Sequence, residues 1–407
     1  MWFERKNRLN FKIKKIVVSL AKNDNRKMSK GLFFHKIGIA DMERIHSAII
    51  GWMISDECEA FNLQIRSKFL NELFREHSDR EYVKIESRVE YKDIDIVFLT
   101  VDQQGNQDCW IIENKIKTSQ HSNQLIKYEN VAKKVYLDHT KHYAFLTLIG
   151  ETALCYNENW KNATYKQLVN LLEKYLEVKL DNVDSIILQE YYLSIKQMSD
   201  IADEFMMNPQ LFPRVFTDGC KSKEDKKLYT NDIEEFIGTN GLETIFQKMY
   251  FSNILKEVIN KSPIQYCWFH IDESRGNADL VLHFENYLEP WIHGKEFHFD
   301  MAFQAGTFKF AISRYYDTDL SKENIALVNT WKSELEWLQK EEQYPEYTRF
   351  NKSKGRARIS ISYKIERNWY KMERKEFIQL LSDEFKKANK MRQLVISRHE
   401  DCHFGKK

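Results

Sequence analysis

Two neighbouring apolar runs each carry one carboxylate, and that pairing limits what the chain can fold into. Asp95 lies inside Ile94-Asp95-Ile96-Val97-Phe98, and Glu113 follows Cys109-Trp110-Ile111-Ile112, with Asn114 and Lys115 after it. Both runs are rich in β-branched and aromatic residues, as buried strands are. An ionised carboxylate in such a setting is costly unless it is paired or holds a cation. Strand side chains repeat every two residues, so Lys115 shares a face with Glu113. One acid from each of two adjacent strands, with an amine beside them, is a layout for holding Mg²⁺ next to a phosphodiester. Mg²⁺ takes oxygen ligands, keeps several waters and needs only one or two protein carboxylates.

The pattern around these runs reads α-β-β-β-α-β. Ile45, Ile49, Ile50, Trp52 and Met53 recur at helical spacing, and a second helix is expected near Glu57–Phe74. Tyr82–Tyr91 alternates as a strand does, Ile94–Val101 and Cys109–Glu113 follow, and Gln103-Gln104-Gly105-Asn106 is a turn between them. Ser119–Leu137 is expected as a helix with Gln120, Gln124 and Tyr128 on one side, and His142–Ile149 as a fourth strand. His139 and His142, at strand entry, are expected at the surface. Two more helices, near Thr164–Leu176 and Val183–Ala202, complete this part.

At 407 residues the chain fits two domains. Residues 1–30 form a basic extension, with ten Lys/Arg against Glu4 and Asp24. Residues 31–205 are the first domain. Residues 206–230, with Pro209, Pro213, Gly219 and a charged cluster, read as a linker, and 231–407 as an α+β accessory domain. The net charge of +2 makes no global commitment to nucleic acid, so any such surface must be local. Six cysteines (58, 109, 155, 220, 267 and 402) are scattered without a Cys-x-x-Cys, which argues against a zinc cage. Cys109 and Cys155 sit in apolar contexts, as reduced thiols of a cytoplasmic protein do. No stretch approaches transmembrane length, and no membrane partner is expected. Gly-x-x-x-x-Gly-Lys, His-Glu-x-x-His and Gly-x-Ser-x-Gly are all absent.

With these motifs in this order, residues 31–205 resemble the PD-(D/E)XK nuclease superfamily. Asp95 matches its motif aspartate, Glu113-Asn114-Lys115 its E-x-K, and Gln124-Leu125-Ile126-Lys127-Tyr128 the Gln-x-x-x-Tyr helix motif of the RecB-like branch. Ile111-Ile112-Glu113-Asn114-Lys115-Ile116, with Glu43-Arg44-Ile45-His46-Ser47 before it and Trp52 further on, is similar to a bacterial and phage-associated group within it. The proline of the superfamily's name is missing, since Ile94 precedes Asp95, and Asp93 is the alternative motif acid. The resemblance implies an α/β, restriction-endonuclease-like αβββαβ core followed by the α+β accessory domain. It implies Mg²⁺-dependent hydrolysis of nucleic acid, DNA before RNA, with Mn²⁺ as a substitute ion and defence against foreign DNA as the setting. Asp95 and Glu113 would bind metal, Lys115 would position or activate water, and Gln124 and Tyr128 would assist. Glu86 and Glu43 are further candidate metal ligands. His46 and Ser47 read as a packing and capping pair.

In the second half, Lys352, Lys354, Arg356, Arg358, Lys364 and Arg367 interleave with Tyr363, Trp369 and Tyr370. That mixture suits phosphate contact with base stacking, or basic guards on a sheet edge. His298 and Asp300 alternate onto one side and read as satisfied polar residues rather than a metal pair. The rival reading of the whole chain is a catalytically silent nuclease-fold module that binds nucleic acid or a partner protein. The intact Asp95, Glu113 and Lys115 argue against it. Association into a homo-oligomer is compatible with the sequence.

Overall fold

The structure, a computed structural model, describes residues 32–76, 80–117, 124–151, 159–179, 181–216, 231–265, 267–274, 276–284, 298–313, 322–340, 344–352, 358–365 and 369–398. The chain divides into two compact units. One runs to Met207 and takes in Tyr229–Ile245; the other holds Asn208–Leu228 and Phe246–Lys407. The basic extension, Gln120, Cys155, Lys354, Arg356 and Arg367 lie outside the described residues.

In the first unit, helices α1 (Glu43–Ile54) and α2 (Leu63–Leu73) precede strands β1 (Tyr82–Tyr91), β2 (Ile94–Asp102) and β3 (Gln107–Lys115). Then come α3 (Gln124–Val135), β4 (Thr140–Thr147), β5 (Trp160–Thr164), α4 (Tyr165–Tyr175), α5 (Val183–Met207) and α6 (Asp232–Thr239). The αβββαβ order is as expected, with β5 added. The sheet runs β1-β2-β3-β4-β5. Its first three strands are antiparallel, and β4 and β5 join parallel to β3. Lys92 and Asp93, both with positive φ, form the two-residue turn between β1 and β2. The sheet is covered on both faces, which is why β2 and β3 read as near-continuous apolar runs. On one face, Leu125, Tyr128 and Ala132 of α3, with Tyr136 just after it, join Val97, Cys109 and Ile111 in a buried cluster. On the other, α1 approaches so closely that Gly51 leaves no room for a Cβ beside Val89.

Asn231 to Ile245 depart from the expected domain division, since they count with the first unit. The His35 ring meets Phe236 of α6 edge-on at 4.8 Å. His142 is a further correction. Its partner in the β3–β4 register is Trp110, and the two rings stack at 4.0 Å, so the imidazole is half-buried rather than on the surface.

The second unit is a six-stranded antiparallel sheet, in the order β10-β11-β9-β8-β7-β6. Its strands are β6 (Cys267–Ser274), β7 (Asn277–Phe284), β8 (His298–Gln304), β9 (Thr307–Ser313), β10 (Arg349–Lys352) and β11 (Arg358–Lys364). Helices α7 (Glu243–Lys261), α8 (Lys322–Lys340) and α9 (Arg374–Ser397) accompany them. Leu280, Leu282, Phe299, Met301, Phe310, Ile312 and Ile361 form its buried apolar face. Asp300 is a satisfied polar residue on the opposite face: His283 Nδ1 lies 2.7 Å from it and Ser313 donates to it at 3.1 Å.

Of the candidate basic residues, the three described do not converge. Arg358 and Lys364 stand at opposite ends of β11, about 20 Å apart at strand rise. Lys352 pairs with Ile359 and so takes the other face. Tyr363 packs on Phe308 and Tyr347, and Trp369 is buried against Phe303 and Phe377. Trp369 is core, which removes it as a stacking platform for bases, while Tyr363 is half-buried. Lys352, on the terminal strand of the sheet order, matches the edge-guard reading instead.

Candidate metal centre

The β2–β3 register places Ile96 opposite Ile112, and the next rung brings Asp95 opposite Glu113 on the α3 face. The ladder between β2 and β3 stops there. Asp95 Oδ2 instead accepts the Asn114 backbone N–H at 2.8 Å. β3 continues alongside β4 to the pair Lys115–Thr147, and Leu148 N–H donates to the Lys115 carbonyl at 3.1 Å. The site therefore sits where two strands part while a third still holds one of them.

Glu113 is fully buried, at 0% exposure. Lys115, 7% exposed, brings its Nζ within 2.6 Å of Glu113 Oε1. The Lys115 ammonium and the Tyr128 hydroxyl are the groups that interact with the Glu113 carboxylate besides Asp95. Burial, and then the charge of Asp95, push the Glu113 carboxyl up to about 7, against the pull of Lys115. Burial also raises Asp95, opposed by the Asn114 N–H and Lys115. Burial alone would lower Lys115, but Glu113, Glu43 and Asp95 outweigh it and raise the ammonium above its usual range. Lys115 is thus a fixed cation at neutral pH.

Gln124 opens α3, and its Nε2 donates to the Tyr128 hydroxyl at 2.8 Å. Tyr128 has its ring in the core cluster, and its hydroxyl interacts with Glu113. The Gln124 Oε1 is buried without a hydrogen-bond partner among the described residues.

Glu43 reaches the site by an unexpected route. Its Oε1 accepts the backbone N–H groups of Ile116 and Lys117, at 2.8 and 3.1 Å, and its Oε2 lies 4.0 Å from Lys115 Nζ. It grips the end of β3. Glu86 is not brought to the site. It pairs with Leu99, four residues along β2 from Asp95, about 13 Å at strand rise, and forms an ion pair with Arg88 at 2.7 Å. Asp93 is an exposed turn residue bound to Lys127 at 2.7 Å, which leaves Asp95 as the acid opposite Glu113. The acid that sequence reading overlooked is Glu90, whose charge raises Asp95 from the neighbouring strand. Its positive φ carries no sequence signal.

Residues 33–204 match a family model described as the PD-(D/E)XK nuclease superfamily. No curated protein and no solved structure gives a significant match to the chain. The superfamily generally comprises nucleases, which act on nucleic acid and typically use divalent metals. The residues of this unit fit such an ion. A buried carboxylate facing a second carboxylate, with its pKa raised by that neighbour, is stabilised by a cation. Among the described residues no three His, Cys, Asp or Glu side chains gather to hold an ion by themselves. A pair of carboxylates leaves the remaining positions to water and phosphate oxygens, as Mg²⁺ requires. No described helix is long and apolar enough to cross a membrane.

Proposed function

We propose that the first unit is a Mg²⁺-dependent nuclease that hydrolyses phosphodiester bonds in DNA, with Mn²⁺ able to replace Mg²⁺. The observation that carries this reading is the meeting of Asp95 and the buried Glu113 carboxylate one step beyond the last β2–β3 pair, with Lys115 Nζ 2.6 Å from Glu113. Asp95 and Glu113 hold the ion. When bound, it supplies Lewis-acid polarisation of the phosphodiester and acidifies water. Lys115, held as an ammonium, cannot accept the proton of the attacking water. Its part is to offset the negative charge that builds on the phosphorus centre and to fix the water's position. Gln124 opens α3 with an unsatisfied carbonyl oxygen, suited to accept a hydrogen bond from water while Tyr128 holds its amide nitrogen. Glu43 acts through the end of β3 and through Lys115. The setting we propose, defence against foreign DNA in the cytoplasm, rests on analogy with the group the sequence resembles.

The test is cleavage of plasmid, single-stranded DNA and RNA by the full chain, with Mg²⁺ and with EDTA. Cleavage of DNA that EDTA abolishes, and that Lys115→Ala lowers about 100-fold or more, is expected. Wild-type protein inert on all three substrates, or activity undiminished in Lys115→Ala, would leave the rival of a silent binding module standing.

A further inference from the structure

Asn114 lies between the two motif residues on β3, yet its side chain points away from them. Alternation along the strand sends Glu113 and Lys115 to the α3 face and Asn114 to the α1 face. There it is fully buried, at 0% exposure. Its Nδ2 donates to the Glu43 carbonyl and to Ser47 Oγ, both at 3.1 Å, and its Oδ1 accepts the Tyr165 hydroxyl at 2.7 Å. The orientation of the amide is set by chemistry. A backbone carbonyl only accepts, so the nitrogen must face Glu43.

The partners are themselves fixed. Tyr165 is the first residue of α4, held by a capping box in which Thr164 Oγ1 accepts the Gln167 N–H and Gln167 Oε1 accepts the Thr164 N–H. His46 meets the Tyr165 ring edge-on at 5.4 Å. Its Nε2 donates to the Ala40 carbonyl at 2.8 Å, so its Nδ1 accepts from the Tyr191 hydroxyl at 3.1 Å. Burial holds this imidazole neutral, with its pKa lowered to about 4.

This network bears on the site because of where the sheet opens. Past Ile112, β2 no longer pairs with β3, and across the gap at that level the Asn114 N–H donates to Asp95 Oδ2. A shift of the Asn114 backbone would move the donor that orients Asp95 and, in the same step, the neighbouring Glu113 and Lys115. Buried networks with every member satisfied select one arrangement over its alternatives.

We propose that Asn114 is a positioning residue: its amide, locked by Ser47, the Glu43 carbonyl and Tyr165, sets β3 at the angle that lets Asp95 and Glu113 share one divalent cation. The proposal rests on the metal reading above. Outer partners of metal ligands are worth about 10–100-fold in metal affinity or activity.

The test is Mn²⁺ binding to the full chain by titration calorimetry, alongside DNA cleavage kinetics. Asn114→Ala is expected to weaken Mn²⁺ binding about 10–100-fold and to lower kcat, with KM for DNA unchanged. Tyr165→Phe removes one hydroxyl and keeps the ring and the helix cap. It is expected to shift both quantities in the same direction by a smaller factor. If Asn114→Ala does not fold, Tyr165→Phe decides alone. Wild-type Mn²⁺ affinity and kcat in Tyr165→Phe and in folded Asn114→Ala overturn the proposal while leaving the metal reading intact. A wild-type chain that binds no Mn²⁺ sinks the metal reading itself, and the proposal with it.

Discussion

Glu113 is the residue on which the electrostatics turn. Burial and Asp95 raise its carboxyl to about 7 in the metal-free protein. The folded state therefore holds this proton more tightly than the unfolded chain does. The stabilisation is complete below the ordinary carboxylate range, near 4.5, and is lost as pH rises through about 7. A divalent ion needs the ionised form, so binding below pH 7 must expel the proton. Titrating Mg²⁺ or Mn²⁺ at pH 6 in two buffers of different ionisation heat should show about one proton released per ion, and affinity should climb with pH before levelling above 7. Binding heats independent of the buffer would show that Glu113 is not a ligand. Glu86 illustrates the limit of reading residues from sequence. Alternation tells which face a strand residue takes, not which rung it occupies, and the β1–β2 register places Glu86 opposite Leu99.

At the level of elements, the boundaries of β1 were legible, Tyr82–Tyr91, but its inward face was not: the register slips between Tyr82 and Lys84 and leaves Val83 55% exposed. β2, β3 and α3 were legible in kind, from apolar density and helical spacing. β5 was not: Trp160-Lys161-Asn162-Ala163-Thr164 buries only Trp160 and Ala163, and it is a strand because β4 offers a parallel edge. β10 is four residues long, and α6 is eight residues with three acids in its first turn. The burial of His142 depends on Trp110 across the sheet, which no local pattern encodes. The seat of α1 on β1 is equally tertiary. A Cβ at Gly51 would run into Val89 Cγ2 and lie 3.2 Å from Ser87 Oγ. Gly51→Ala gains helix propensity of about 1 kcal/mol, but overpacking at a helix–sheet contact costs about 1–3 kcal/mol. Urea denaturation should therefore show a net loss, recovered when Val89→Ala is added. A gain in stability from Gly51→Ala alone would mean the helix stands further from the sheet.

For the molecule as a whole, the division into units extends the matched region. The matched family spans residues 33–204, yet Tyr229–Ile245 belong to the same unit. Phe236, 6% exposed, packs against His35. Phe236→Ala should cost the first unit about 3 kcal/mol, seen as a lower midpoint in denaturation followed by Trp110 or Trp160 fluorescence. An unchanged midpoint would detach α6 from that unit's stability. Of the candidate basic residues of the second unit, the three described, Lys352, Arg358 and Lys364, are divided between two faces and two ends of a sheet. The account as a whole stands on two carboxylates sharing one ion, and anomalous diffraction from Mn²⁺-soaked crystals of the full chain tests this most directly. The expected result is one Mn²⁺ peak bonded to both Asp95 and Glu113, absent in Glu113→Gln. Crystals soaked to saturation with no peak between those two residues, or with Mn²⁺ bound elsewhere alone, would contradict it.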